Sequence, residues 1–96
     1  MDAREILGRL EALKPELCTR YKVRELGLFG SWARDEQQAD SDIDILVEFE
    51  EGADLFDWIG LALYLEEVFG RPVDVVPRQA LRQELQAIVL GEVIKV

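Results

Sequence analysis

The chain has 96 residues, 49% of them hydrophobic, and carries 20 acids against 11 bases for a net charge of −9. That length fits a single domain, residues 1–96, with one core and no room for a second lobe. The acidic balance argues against direct nucleic-acid binding, which needs basic residues to displace counterions. No apolar run approaches the roughly eighteen residues of a membrane span. The start "MDAREILGRL" has no basic opening, apolar stretch or small-residue cleavage site, so no secretory leader is expected. Cys18 alone cannot form an internal disulfide and reads as a small residue near a helix end. A cytoplasmic protein is expected.

In chain order, Ala3 to Arg20 reads as helical, with Ile6, Leu7, Leu10, Leu13 and Leu17 at helix spacing. Pro15 predicts a split or kink there. "VRELGLF", Val23 to Phe29, reads as a strand. Gly30 and Ser31 then look like a turn and an N-cap, which predicts a short helix from about Trp32. "DEQQAD" reads as a polar loop and "DIDILVEF", Asp42 to Phe49, as a strand. After the turn "EEGAD", Asp54 can cap a helix to about Phe69, with Asp57 in its first turn. Gly70 ends that helix and Pro72 keeps it from resuming. "VDVV", Val73 to Val76, is a short strand. A last helix covers about Gln79 to Leu90, and "EVIKV" predicts a final short strand. The order α-β-α-β-α-β-α describes an α/β domain, a central mixed sheet flanked by helices. Trp58, Leu61, Leu65 and Phe69 read as core, and Trp32 as packing beside the Gly-Ser turn. Tyr64 has no evident site around it.

The charge is unevenly spread. Between Arg34 and Arg71 there is no Lys or Arg, while 12 Asp and Glu fall in that interval. This is either a solvated acidic face or a site for a cation or basic partner. Alternation along a strand puts Asp42 and Asp44 on one face, about 7 Å apart at the backbone. Ile43, Ile45 and Val47 take the other face. Asp74 is built the same way, between Val73 and Val75. If the two strands are neighbours, three carboxylates can converge. Unit charges about 4 Å apart repel by roughly 4 kcal/mol at an effective dielectric of 20. Three such pairs rival the stability of a small domain. Convergence therefore requires a proton or a metal, and oxygen-only ligands favour Mg²⁺ or Mn²⁺. Two ions shared by three carboxylates suit in-line attack at phosphorus. The plain alternative is a polar turn followed by an exposed edge. A calcium loop with Asp40, Asp42, Asp44 and Glu51 at its first, third, fifth and twelfth positions fails, because Ile45 stands where such a loop needs Gly.

Gly30 permits close approach or positive φ. Free amides after it, with the Ser31 hydroxyl, can cradle phosphate oxygens, and Arg34 adds positive charge one turn on. Gly-Ser before a helix is usually a simple cap. Its meaning here comes from the next strand, which bears Asp-x-Asp. Together the two make what a nucleoside triphosphate site requires.

The stretch "GLFGSWARDEQQADSDIDILVEF" resembles the signature of the DNA polymerase β-like nucleotidyltransferases. It looks most like the minimal nucleotidyltransferases, the MNT antitoxins paired with HEPN ribonuclease toxins. "LFDWIGLALYLEEVFGRPVDVV" and the ending "LGEVIKV" are similar as well, so nearly the whole chain is covered. Asp35 stands where the family pattern has Gly, a departure that touches the loop's conformation more than its chemistry. The resemblance implies roles. Gly30 and Ser31 would hold triphosphate oxygens, with help from Arg34. Asp42 and Asp44 would bind Mg²⁺ or Mn²⁺. Asp74 would share a metal and act as base. The implied reaction moves a nucleoside monophosphate, AMP from ATP, to a tyrosine hydroxyl of a HEPN toxin. Two alternatives stand beside it: an antitoxin that acts by binding alone, and a nucleotidyltransferase for a small molecule such as an aminoglycoside. The latter would need a second subunit for its acceptor.

Overall fold

The computed structural model describes residues 1–96. Helix α1 (Ala3–Tyr21) opens on Asp2, whose side chain accepts the Glu5 amide at 2.9 Å. It closes on Lys22 in the left-handed conformation, φ 58°. Ile6, Leu10, Leu17 and Tyr21 are its buried stripe. The expected split at Pro15 does not occur, and α1 is one helix across it. Pro15 is exposed, so its ring faces solvent, and core packing on both sides holds the helix together.

Strand β1 (Val23–Phe29) pairs antiparallel with β2 (Ile43–Phe49), and β2 pairs parallel with β3 (Val73–Pro77). A two-residue β4 (Ile94–Lys95) pairs antiparallel with the other side of β1, giving the mixed order β3-β2-β1-β4. Between β2 and β3 runs α2 (Leu55–Phe69), opened by a reciprocal capping box of Asp54 and Asp57 and closed by Gly70 at φ 66°. The expected last helix is broken in two. A 3₁₀ turn (Arg78–Ala80) is followed, after extended residues Leu81 and Arg82, by α3 (Gln83–Glu92). The expected short helix near Trp32 is absent, and those residues form turns instead.

The core lies on one face of the sheet. Ile43, Ile45 and Val47, Leu26 and Leu28, and Val73 and Val75 pack there with Ile6, Leu10 and Leu17 of α1 and Leu61, Leu65 and Phe69 of α2. Trp58 differs from expectation. It is 37% exposed, and its indole N–H donates to the Val75 carbonyl at 2.8 Å. Strand β3 is an edge strand, so Trp58 covers a carbonyl that no further strand can take. No helix is long and apolar enough to cross a membrane.

The C-terminal segment reaches the opposite face of the sheet at Gly27. A Cβ there would lie 2.6 Å from Val93 Cγ2 and 2.9 Å from the Ile94 carbonyl oxygen. The close approach of β4 thus depends on the missing side chain. Gly27→Ala should detach β4 and lower stability by about 1–3 kcal/mol. Hydrogen exchange would show lost protection at Ile94 and Val96 with α1 unaffected.

Candidate active site

The C-terminal end of β1 and the N-terminal ends of β2 and β3 meet at one end of the sheet. Asp44 is paired with Phe29 on one side and with Asp74 on the other. The parallel register brings the two carboxylate-bearing residues level, on the face away from the core. Asp42 lies one residue before β2, because the strand starts at Ile43, whose amide donates to the Pro72 carbonyl at 3.1 Å. Asp42 and Asp74 are exposed and Asp44 is half-buried. Ser41 orders the approach: its hydroxyl accepts the Gln38 amide at 2.8 Å, and its own amide returns to the Gln38 carbonyl.

Charge accumulates at Asp44. Its carboxyl is pushed up from 3.8 to about 6, first by burial and then by the negative fields of Asp74 and Asp42. Glu92 pushes the same way, and Arg34 opposes it. The carboxylates do not close into a ready metal cage. The donor set nonetheless fits a hard divalent ion: carboxylate oxygens at the ends of neighbouring strands. The chain has no His, and its one Cys, Cys18, lies on α1.

Gly30 follows β1 directly. It is buried with φ 76°, and a Cβ there would overlap the Asp44 carboxylate, with Asp44 Cγ at 2.9 Å. Both properties foreseen for this glycine, positive φ and close approach, are therefore used. The Gly30 carbonyl accepts the amides of Ala33 and Arg34, both at 3.1 Å, and the Ser31 carbonyl accepts the Glu36 amide at 2.9 Å. This single closed turn replaces the expected helix, and Asp35 ends it at φ 58°. A left-handed residue is where Gly is favoured, and Asp is among the few residues that tolerate it. The amides of Ser31 and Trp32 find no backbone acceptor. Trp32 is buried in the core cluster with Arg71 stacked 5.0 Å from its ring, in keeping with the packing role expected of it.

Arg34 is not free. Its Nε donates to Glu36 at 2.9 Å and its Nη1 to Glu92 at 3.2 and 3.3 Å. The Gly30 amide also donates to Glu92, at 3.0 Å. Sequence reading assigned Glu92 nothing. It lies far along the chain from Gly30, and no spacing rule joins the two. Tyr64 donates to Glu16 and stacks near Tyr21, away from the acids. A concavity of about 250 Å³ between the sheet and the end of α3 is lined by residues such as Leu46, Leu90 and Val93, and a larger one of about 530 Å³ by residues such as Phe49, Trp58 and Pro77; neither is lined by any of the three aspartates.

A glycine turn closing one strand, with acids level on the next two, is the architecture of a nucleotidyltransferase. Residues 10–96 match the nucleotidyltransferase domain family. The chain is 47% identical over 92 residues to the protein adenylyltransferase MntA of Thermococcus cleftensis, covering 96% of this chain and 93% of that one. It superposes on a solved minimal nucleotidyltransferase with TM-score 0.86 at 42% identity, covering 100% and 97% of the two chains. A toxin–antitoxin crystal structure with AMP-PNP gives TM-score 0.72 at 26% identity, covering 88% and 70%. The chain belongs to the nucleotidyltransferase domain family, among its minimal members.

The raised acidity constant of Asp44 has a stability consequence. Below pH 3.8 the carboxyl is protonated in folded and unfolded chains alike. As pH rises from there to about 6 the unfolded chain ionises first, so the folded state loses stability, and above that the loss is complete. Asp44→Asn should remove this loss. Metal-free protein should gain about 1–2 kcal/mol near neutral pH, after allowing for solvent screening, and nothing below about pH 4. Urea unfolding across that range measures it.

Proposed function

We propose that this protein transfers AMP from ATP to a tyrosine hydroxyl of a HEPN-type partner toxin and thereby acts as a cytoplasmic antitoxin. The observation that carries the reading is the register of β2 with β3, which sets Asp44 level with Asp74 beside the glycine turn. The identity to a protein adenylyltransferase supports the nucleotide and the protein acceptor. The fold shared with a toxin–antitoxin complex containing AMP-PNP supports the partner.

Gly30 and Ser31 present amide and hydroxyl donors to the triphosphate, and Arg34 supplies positive charge against it. Asp42 and Asp44 would hold Mg²⁺, or Mn²⁺, with Asp74 sharing it. Such an ion, held by these acids, would neutralise charge on the phosphates and on the acids themselves. Asp74, the more exposed of the paired residues, accepts the proton of the acceptor hydroxyl. The oxygen so freed attacks the α-phosphorus, the bond to the bridging oxygen breaks, and pyrophosphate leaves. Positioning and electrostatics carry such a transfer, because the protein forms no covalent bond itself.

Incubation with Mg²⁺, ATP and the partner toxin should add AMP to the toxin, seen as a mass increase in the intact protein. An unchanged mass with all four triphosphates would overturn the assignment. Asp44→Asn should abolish the transfer although it stabilises the fold. Gly30→Ala should reduce the rate by about 100-fold or more, since the added methyl displaces Asp44. Mg²⁺ should raise the melting temperature of the wild type and leave that of Asp44→Asn unchanged.

A further inference from the structure

Two of the donors assigned to the nucleotide, the Gly30 amide and the Arg34 guanidinium, are already engaged by an anion of the protein's own. The Glu92 carboxylate takes the Gly30 amide at 3.0 Å and Arg34 Nη1 at 3.2 and 3.3 Å. A backbone N–H beside a glycine turn plus a guanidinium is how proteins grip a phosphate oxygen. We propose that Glu92 is a built-in competitor for the triphosphate, occupying its donors until the nucleotide displaces it. This rests on the assignment of Gly30, Ser31 and Arg34 to the phosphates.

Three features fit displacement better than a fixed prop. First, Arg34 is held independently: its Nε stays on Glu36 at 2.9 Å, so its Nη1 remains presented when Glu92 departs. Second, Glu92 ends a lightly packed element: Val89 is the one buried residue of α3, and the chain beyond is held by the two-residue β4 and by Val96, whose amide donates to the Leu26 carbonyl at 3.1 Å. Third, a retained Glu92 would set a negative charge against an incoming polyanion that needs the same donors. Competition for shared donors means that free nucleotide binds more weakly than the bare site would allow. It also means that binding loosens the end of α3.

The test is calorimetric titration of the full chain, wild type, Glu92→Gln and Glu92→Ala, with a non-hydrolysable ATP analogue plus Mg²⁺. Inorganic tripolyphosphate serves as a second probe that reads the phosphate donors alone. Both variants should bind both probes more tightly, by about three- to tenfold, while their melting temperatures fall or stay level. A residue that merely props the turn gives the opposite result, weaker binding together with lower stability. In an Arg34→Gln background the gain from Glu92→Gln should shrink. Affinity in both variants equal to or below that of the wild type overturns the proposal and leaves the phosphate assignment standing. Absence of binding by every protein to both probes at millimolar concentration overturns the phosphate assignment itself, and the proposal with it.

Discussion

The parallel pairing of β2 with β3 is the constraint on which the site depends. Its register makes Asp44 and Asp74 neighbours across the ladder, while Ile43, Ile45, Val73 and Val75 go to the core from the same strands. A slip of one residue would send the acids inward and the isoleucines outward. Burial of those apolar side chains therefore locks the carboxylates in place. The hydrophobic core performs, at a distance, the alignment that the chemistry needs.

The cost of that alignment falls on Asp44, whose carboxyl is half-buried between two other acids. Gly30 makes the crowding possible by leaving room where any side chain would collide. A site that is electrostatically unfavourable when empty gains most when positive charge arrives, which is how destabilised functional sites operate. Asp44 and Asp74 together with Gly30 thus form one unit, set by the β2–β3 register and by the missing side chain of Gly30.

Opposite these acids stands a smaller set of charges with a different logic. Arg34, Glu36 and Glu92 satisfy one another and the Gly30 amide, and they tie the lightly packed end of α3 to the turn after β1. Exposed ion pairs of this kind add little to stability. Their effect is to decide which anion holds the donors of the glycine turn. The C-terminal segment thereby becomes part of the site while contributing little to the core.

Much of this was legible in the amino-acid sequence because it rests on local rules. Strands Val23–Phe29 and Ile43–Phe49, the Asp54 cap, the Gly70 stop and the outward faces of Asp44 and Asp74 all reflect periodicity and turn chemistry. Two local expectations failed against longer-range packing. Pro15 did not break α1, whose two halves share one core, and Trp58 moved to the sheet edge to reach the Val75 carbonyl. The helix after Gly30 failed locally, stopped by the left-handed Asp35. The sequence by itself determined the strands, the limits of α2, the acids and the glycine turn, because each depends on residues within a few positions. Only the tertiary structure decided that β2 and β3 are neighbours, and that Glu92 reaches back to Gly30 and Arg34. Those contacts join parts of the chain far apart in sequence, where no periodicity operates and packing alone selects the partner.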